Sequence, residues 1–327
     1  MLMNLKDLIS SKNLSILALS KLCAIPYATL YESIKQPKKM SYETMRKLSS
    51  HLGLSLNQMA HHIEDSRPTL ASVLIEQMNA KLKGNLYHHT QIHFAYNTNR
   101  IEGSRLTEDQ TRLLFETNAI LPSETSLNTD DLVETANTFA MFDWMLKTLD
   151  EPLNEPLIKT FHQMLKTSTS DARFDWFAVG EYKLLSNEVG GRPTTKPKQV
   201  EREMRALLSA YHSQPSHDFD SITEFHVRFE RIHPFQDGNG RVGRIVLFRE
   251  CLKHGVLPFI VEDDVKPYYY RGLSEYDREP NYLLDTFRSM QDRYFAVVKQ
   301  FLEESYAWND IISSLNFSNS HDKSEKQ

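Results

Sequence analysis

Apolar residues recur at spacings of three and four along most of the chain, the pattern of helices that bury one face. Strand patterns are sparse. The best candidate is a short hairpin near Glu181–Arg192, where Gly190 and Gly191 interrupt the pattern. No internal repeat is present. The chain is therefore predicted to be all-α, with one small β-hairpin.

Two interruptions divide this helical pattern. Charge and proline break it at residues 64–68, and the last stretch, residues 314–327, is polar and lacks periodicity. With 327 residues, the chain is long enough for two domains. We predict a small helical domain over residues 1–65, a connecting helix over 66–85, a main domain over 86–303 and a partly disordered tail over 304–327.

Composition and charge restrict the class of protein. Cys23 and Cys251 lie far apart and predict neither a disulfide framework nor a zinc site. The sequence shows no signal-peptide pattern and no apolar run of membrane-spanning length. The net charge is −5, yet residues 1–65 carry eight Lys or Arg against five Asp or Glu, which mildly favours an anionic partner there. We expect a cytoplasmic protein without a membrane partner; the sequence leaves a homodimer open.

The first domain has the pattern of about five short helices, with a tight turn between the second and third. The stretch "ALSKLCAIPYATLYESI", followed by "SYETMRKLSSHLGLSLNQM", resembles the helix-turn-helix of the Cro/C1 repressor class. The resemblance implies a recognition helix that enters the DNA major groove. Under it, the residues that face DNA are Tyr27, Ala28, Thr29, Tyr31 and Lys35.

This resemblance has two departures. The turn carries Ala24 where the class usually has glycine. The recognition helix lacks the Arg, Asn or Gln that make bidentate contacts to bases. A small helical module that docks onto protein is therefore the alternative to DNA binding.

Chemistry is concentrated in the stretch "IHPFQDGNGRVGR", residues 232–244. A helix is predicted over Ser221–Ile232, and Pro234 cannot continue it, so His233 stands at a helix end. The Gly-x-Gly turn that follows opens another helix, where backbone N–H groups and the helix dipole favour an anion. Arg241 and Arg244 lie three apart on one face of that helix and suit a polyphosphate.

Three side chains of this stretch suit a reaction at phosphate. An imidazole titrates at about pH 6.5, which fits His233 as a general base. Asp237 offers the hard oxygen that Mg²⁺ requires. Asn239 is expected to donate an amide hydrogen to an α-phosphate oxygen as charge develops there.

The stretch from His233 to Arg244 resembles the signature of the Fic family, His-Pro-Phe-x-Asp-Gly-Asn-Gly-Arg-x-x-Arg. The resemblance implies an all-α fold with a hairpin flap. The implied activity is transfer of AMP from ATP to a hydroxyl of an unknown target protein or of the chain itself. His233 is then the base, and Asp237 holds Mg²⁺, or Mn²⁺ in its place. The implied nucleotide-binding residues of the signature are Gly238, Asn239, Gly240, Arg241 and Arg244.

Upstream, Thr98 and Glu102 are four apart and share a helix face that Gly103 is expected to end. Residues 107–110 then predict a capping box that opens the next helix. The stretch resembles the family's inhibitory helix, in which the glutamate pairs with the second signature arginine, here Arg244. Such a pair occupies the place of the γ-phosphate. A plain structural ion pair is the alternative.

Three further segments resemble parts of that family. Residues 86–303 would form the Fic domain, with its inhibitory helix at about 86–103, and the helix around Glu134 would be structural. The flap, whose backbone pairs with the target, would present Glu188, Val189, Gly190 and Gly191. The walls of an adenine pocket would be Tyr269, Tyr270, Leu273 and Asp277, on one helix. Core packing is the alternative for those four residues.

Two other functions stay open. Some relatives with the inhibitory glutamate remove AMP, and Glu102 would then orient a water molecule. In a different class, the chain is a DNA-binding regulator whose main domain senses nucleotide. Release of AMP from a modified target distinguishes the first alternative, and salt-dependent DNA binding that ATP alters distinguishes the second.

Overall fold

The computed structural model describes residues 5–63, 67–120, 126–214, 216–305 and 308–316, apart from the side chains of residues 38 and 61. Within these ranges the chain is mostly helical, with one two-stranded sheet. No helix of the described residues has both the length and the apolar character needed to cross a membrane.

Five helices form the first part of the chain. They are α1 (Leu5–Ser11), α2 (Ile16–Leu22), α3 (Tyr27–Lys35), α4 (Tyr42–Leu52) and α5 (Leu56–His62). The side chains of Ser15 and Ser41 accept backbone N–H groups at the starts of α2 and α4, as N-caps do. The apolar faces of all five helices enclose a separate hydrophobic cluster. The predicted helices of this segment are thus confirmed, whereas its helix-turn-helix class stays a prediction.

The rest of the described chain forms a larger helical body. Its helices are α6 (Leu70–Ala80), α7 (Leu86–Ile101), α8 (Glu108–Thr117), α9 (Thr129–Lys147), α10 (Glu155–Lys166), α11 (Pro197–His212), α12 (Phe219–Ile232), α13 (Asn239–Lys253), α14 (Lys266–Glu275), α15 (Asn281–Leu302) and α16 (Trp308–Ser314). One hydrophobic cluster extends through this body from Leu70 to Ile311. The connecting helix predicted over residues 66–85 corresponds to α6, which packs within this cluster.

The predicted hairpin is present but short. Strands β1 (Glu188–Val189) and β2 (Arg192–Pro193) pair antiparallel, with Val189 opposite Arg192. Gly190 and Gly191 both adopt positive φ in the turn, which glycine does at little cost. The helical fold with a small hairpin is therefore confirmed.

Helix α13 lies at the centre of the body. All of its residues except Gly240 are buried, and it packs against α7, α9, α10 and α12. A helix surrounded on every side is held in place by the whole core. The first turn of α13, where the signature residues lie, is therefore rigidly positioned.

The two parts of the chain meet near the C-terminus. Arg46 Nη1 donates to the carbonyl of Ser314 at 3.0 Å, and the hydroxyl of Ser55 bonds the carboxylate of Asp150. Helix α16 buries Ile311 at this junction, so the tail predicted from residue 304 contains a packed helix that its sequence pattern did not indicate. Residues 317–327 of that tail, and residues 64–66 at the predicted domain boundary, lie outside the described residues.

Candidate active site

His233 stands at the C-terminal end of α12, as predicted. Its backbone adopts φ +52°, a left-handed conformation that is uncommon outside glycine, and its N–H donates to the carbonyl of Phe229 at 3.0 Å. Its Nδ1 lies 3.3 Å from the carbonyl of Glu230, which can only accept, so Nδ1 carries the proton. Burial, helped by the ammonium of Lys183, lowers the pKa of His233 to about 4. The ring is therefore neutral near pH 7, with Nε2 as the proton acceptor.

The loop after His233 is held by the side chain of Asn239. Its Oδ1 accepts the backbone N–H of Phe235 at 2.7 Å, and its Nδ2 donates to the carbonyl of Phe235 at 2.9 Å. The ring of Phe235 is fully buried and stacks on His162 with 4.1 Å between centroids. Asn239 was expected to reach an α-phosphate oxygen. In this structure the side chain is 1% exposed and holds the loop through these two bonds, and its contact with an α-phosphate stays a prediction.

The glycines of the signature form the predicted turn at the start of α13. Gly238 is the N-cap residue, with φ +80°, and a Cβ there would lie 3.0 Å from a methyl group of Leu165. A Cβ on Gly240 would clash with Oε1 of Glu102 and lie 2.8 Å from Nη1 of Arg244. The carboxylate of Glu102 therefore lies directly over the first turn of α13, where backbone N–H groups favour an anion.

Arg244 binds that carboxylate and the helix that carries it. Its Nη2 donates to Oε1 of Glu102 at 2.6 Å and to the carbonyl of Thr98 at 2.9 Å, and its Nε donates to the hydroxyl of Thr98 at 2.9 Å. Glu102 is the C-cap residue of α7, and Gly103 follows with φ +100°. Burial opposes ionisation of Glu102, but the charges of Arg244 and Arg241 hold its pKa below the ordinary value. The structure thus brings together the predicted residues Thr98, Glu102 and Arg244.

Arg241 lies in a buried ionic network that the sequence analysis did not predict. It pairs with Glu134 of α9 and, at 3.2 Å, with Asp237. Lys166, the last residue of α10, donates to Glu134 at 2.5 Å and to Asp237 at 2.7 Å. Lys166 and Asp237 are 71 residues apart in sequence, and Glu134 and Arg241 are 107 apart, so no local motif links them.

Asp237 is the candidate metal ligand. Its side chain is 49% exposed, while Oδ2 faces Lys166 and Arg241. Burial opposes its ionisation, but the charges of Arg241 and Lys166 keep its pKa well below the usual range. The described part of the chain contains no group of three or more His, Cys, Asp or Glu placed to hold a metal ion. Mg²⁺ often takes one or two carboxylates and completes its shell with phosphate and water, so Asp237 fits Mg²⁺ bound together with a nucleotide.

The hairpin is attached to the loop that carries His233 and Asp237. Asn187 Nδ2 donates to the carbonyl of Phe235 at 3.0 Å, and the N–H of Leu185 donates to Oε1 of Gln236 at 3.2 Å. The four predicted flap residues are all exposed. They are Glu188, Val189, Gly190 and Gly191.

The predicted adenine pocket stays a prediction. Tyr269 is 1% exposed, and its hydroxyl bonds Nε2 of His226 at 2.8 Å, which favours core packing. Tyr270 is partly exposed. Asp277 lies beyond the end of α14 and pairs with Arg231 at 2.7 Å, so its placement on the same helix was wrong. The helix boundary was missed because residues 274–278 contain no proline or glycine to mark it.

The residues predicted to face DNA are on α3, and all five are exposed. They are Tyr27, Ala28, Thr29, Tyr31 and Lys35. The rings of Tyr27 and Tyr31 stack with 6.0 Å between centroids. Ala24, in the turn before α3, has φ +50°, a left-handed conformation that glycine adopts at less cost.

Residues 152–250, which run from α10 to α13, match the model of the Fic/DOC family. The fold agrees with a Fic-domain-containing signaling protein from Bacteroides thetaiotaomicron, with a TM-score of 0.59 and 22% identity. That likeness covers 71% of this chain and 98% of the other.

Two further proteins are similar to this chain in sequence. The protein adenylyltransferase fic-1 of Caenorhabditis elegans is 23% identical over 185 residues, or 55% of this chain and 35% of the relative. The protein adenylyltransferase Fic of Nematostella vectensis is 22% identical over 223 residues, or 67% of this chain and 50% of the relative. The chain thus spans half or less of the length of these relatives.

Proposed function

We propose that the chain is a protein adenylyltransferase, which transfers AMP from ATP to a Ser, Thr or Tyr hydroxyl of a protein. The observation that carries the proposal is the placement of a neutral imidazole, His233, beside a glycine-opened helix start that already holds a carboxylate. The names of the relatives in worm and sea anemone support the same activity.

In the proposed reaction, the hydroxyl oxygen of the target attacks the α-phosphorus of ATP. A new oxygen–phosphorus bond forms while the bond from the α-phosphorus to the oxygen bridging to the β-phosphate breaks, and pyrophosphate leaves. Nε2 of His233 takes the hydroxyl proton, since Nδ1 already donates to the carbonyl of Glu230. A general base of this kind contributes about 10²–10⁴ in rate.

The phosphates would bind at the start of α13, where Gly238 and Gly240 leave the backbone open. Asp237, ionised and half-exposed, would hold Mg²⁺ next to them, and Mn²⁺ suits the same oxygen ligand. The bound cation would supply charge neutralisation for the phosphates. Arg244 would bind the outermost phosphate once Glu102 has left it.

We further propose that the Glu102–Arg244 pair inhibits the enzyme. The carboxylate of Glu102 lies over the same turn that would receive phosphate, and it occupies the guanidinium that would bind the γ-phosphate. A nucleotide must therefore displace Glu102 or bind in a displaced position. A purely structural pair is the competing explanation, and the activity of Glu102 variants decides between the two.

The exposed hairpin is proposed to receive the target. The exposed edge of a two-residue strand can add one more extended segment through backbone hydrogen bonds. Asn187 and Leu185 tie the hairpin to the catalytic loop, so a segment bound there is held close to His233.

For residues 1–65 we propose the helix-turn-helix class as a separate domain. The separate hydrophobic cluster and the α2–turn–α3 succession support this proposal. DNA binding through the exposed face of α3 predicts affinity that falls steeply with salt and depends on Lys35. Salt-independent capture of a protein, with no DNA binding, would support a docking module instead. Cys23 and Cys251 are free and buried, which suits our proposal of a cytoplasmic location.

The decisive experiment is a mass measurement on the Glu102→Gly protein after incubation with ATP and cell lysate. We expect an adenylyl increment on a lysate protein or on the chain itself. The increment should be lost in Glu102→Gly/His233→Ala, although ATP still binds. An increment that persists without His233 would refute the mechanism. Release of AMP from a modified target, lost in Glu102→Gly, would instead indicate removal of AMP.

A further inference from the structure

Lys183 is a buried lysine at the base of the hairpin. It is 2% exposed, and its Nζ donates to Oδ1 of Asn187 and Oγ1 of Thr194, both at 2.6 Å, and to the carbonyl of Ile232 at 3.4 Å. All three acceptors are neutral oxygens. Among the described residues, no carboxylate lies within ion-pair distance of this ammonium. A buried charge without a countercharge costs free energy, which suggests a role beyond packing.

The contacts of Lys183 join the hairpin to both neighbours of His233. Its Nζ reaches the carbonyl of Ile232, and its backbone N–H donates to the carbonyl of Pro234 at 2.9 Å. Asn187 and Thr194 flank the two strands, and Thr194 also donates to the carbonyl of Asn187 at 3.1 Å. The side chain of Lys183 thus joins the base of the hairpin to the peptide group before His233, and its backbone N–H holds the carbonyl of Pro234 after it.

His233 needs such support because its backbone is left-handed. A non-glycine residue at φ +52° carries strain, and that conformation persists only where the surroundings determine it. The carbonyl of Ile232 is one of the acceptors that the end of α12 leaves without a helical partner. Lys183 supplies a donor to it at that point.

We propose that Lys183 is a positioning residue for His233, which sets the orientation of the imidazole and couples it to the flap. This inference rests on the proposed adenylyl transfer only for its activity readout. The residue follows Gly180-Glu-Tyr in sequence, and nothing in that local pattern identifies it.

The charge of Lys183 should also affect the titration of His233. The groups that act on His233 are the ammonium of Lys183 from the base of the hairpin, the backbone carbonyl of Glu230 in α12, and the carboxylates of Glu102 and Asp237. After burial, Lys183 is the main influence that lowers the pKa of His233, whereas Glu102 and Asp237 raise it. Removing Lys183 therefore raises that pKa.

The test compares Lys183→Met and Lys183→Arg in the Glu102→Gly background. His233 must be neutral to accept a proton, so AMP transfer is lost as pH falls through its pKa. We expect Lys183→Met to raise, by about one pH unit, the pH at which kcat falls on the acid side of its pH profile. The same variant should lower the maximal kcat and leave the KM for ATP unchanged. Lys183→Arg keeps the positive charge and should show the acid side of the pH profile at the same pH as the protein with Lys183. Lys159→Met, which removes a nearby lysine paired with Glu181, is the matched control and should leave the acid side of the profile in place.

A second readout does not require activity. The His233 ring resonance, identified by its loss in His233→Ala, should titrate at higher pH in Lys183→Met. If no variant transfers AMP but this titration moves, the proposed function fails while the role of Lys183 stands. If AMP transfer is present, and Lys183→Met changes neither the pH profile of kcat nor the titration of the His233 ring, the inference about Lys183 is wrong.

If Lys183→Met does not fold, Thr194→Val provides a second test. It removes one acceptor of Lys183 and changes no residue of the loop that carries His233. Without this acceptor the ammonium of Lys183 is held less firmly beside His233, so we expect a smaller shift of the His233 titration in the same direction. An unmoved His233 titration in Thr194→Val, when Lys183→Met does not fold, would also overturn the inference.

Discussion

Arg241 and Arg244 stand one turn apart on α13 and are almost equally buried, with 4% and 3% of their side chains exposed. Each is neutralised by a carboxylate from another helix. The partner of Arg241 is Glu134, in the interior of α9 and 12% exposed. The partner of Arg244 is Glu102, at the end of α7 and 28% exposed.

The two partners differ in how freely they can leave. Glu134 is shared with Lys166, so removing it would leave two buried cations short of a countercharge. Glu102 is the C-cap residue of its helix, and a Cβ on the following Gly103 would meet no atom within 4 Å. The comparison indicates that the pair at Arg241 belongs to the fold, whereas the pair at Arg244 can open.

The largest effect is expected from Glu134→Gln, which keeps the volume but removes the charge between Lys166 and Arg241. Breaking a buried ion pair from one side should lower the free energy of unfolding by about 3 kcal/mol. Urea unfolding followed by circular dichroism measures it. The matched variant Glu102→Gln should lose less, about 1 kcal/mol, because that carboxylate is partly exposed and Arg244 keeps its bonds to Thr98. Equal losses would remove the distinction between the two pairs.

The next effect concerns activity. Glu102→Ala and Glu102→Gly should both raise AMP transfer at least about tenfold, which corresponds to about 1.4 kcal/mol of inhibitory coupling. Labelled ATP with the mixture of lysate proteins provides the assay. Alanine adds no backbone freedom, so a gain confined to Glu102→Gly would point to chain flexibility and against displacement of the carboxylate.

Gly240→Ala tests the place that Glu102 occupies. The added methyl would stand over the first turn of α13, against the position now taken by the Glu102 carboxylate. In a Glu102→Ala background, we expect the affinity for a non-hydrolysable ATP analogue to fall about fivefold, near 1 kcal/mol, because one backbone contact to phosphate is blocked. Calorimetry measures it. Stability should change little, because the preference of alanine over glycine in a helix offsets the shift that the methyl imposes on Nη1 of Arg244, 2.8 Å away. Undiminished affinity would place the phosphates elsewhere.

The smallest effect is expected from pH. A carboxylate whose folded pKa is depressed contributes stabilisation above its unfolded pKa and loses it as pH falls through the folded pKa. For Glu102, that loss lies below about pH 4. The activity ratio of Glu102→Ala to the parent should therefore stay constant between about pH 6 and pH 8. A ratio that falls by half towards pH 6 would show that Arg244 is not held by an ionised Glu102.

Features fixed by neighbouring residues were predictable from sequence. Pro234 ends α12 and leaves His233 at its terminus, and Thr107 with Gln110 forms the predicted capping box. Glu102 and Arg244 are far apart in sequence and were paired only through a family resemblance.

Partners set by tertiary packing were not predictable. Lys166 and Lys183 look like ordinary surface lysines in sequence, yet both are buried and touch the site. Asn239 has two possible partners in a glycine-rich loop, ligand or backbone, and only the folded loop shows that it bonds to Phe235. Periodicity shows which face of a helix is buried, not which helix lies opposite.

The contact between Glu102 and Arg244 joins two segments of one chain, so diluting the protein leaves its strength unchanged. Under the proposed function, ATP would compete with this contact directly. Glu102 stands at the end of α7, and helix ends open at lower free energy than helix centres, so the pair would open if the last turn unwinds. The basal rate of the proposed enzyme would then depend on how often this one helical turn unwinds. A higher temperature, or a partner that binds residues 98–103, would change that rate without contacting the loop that carries His233.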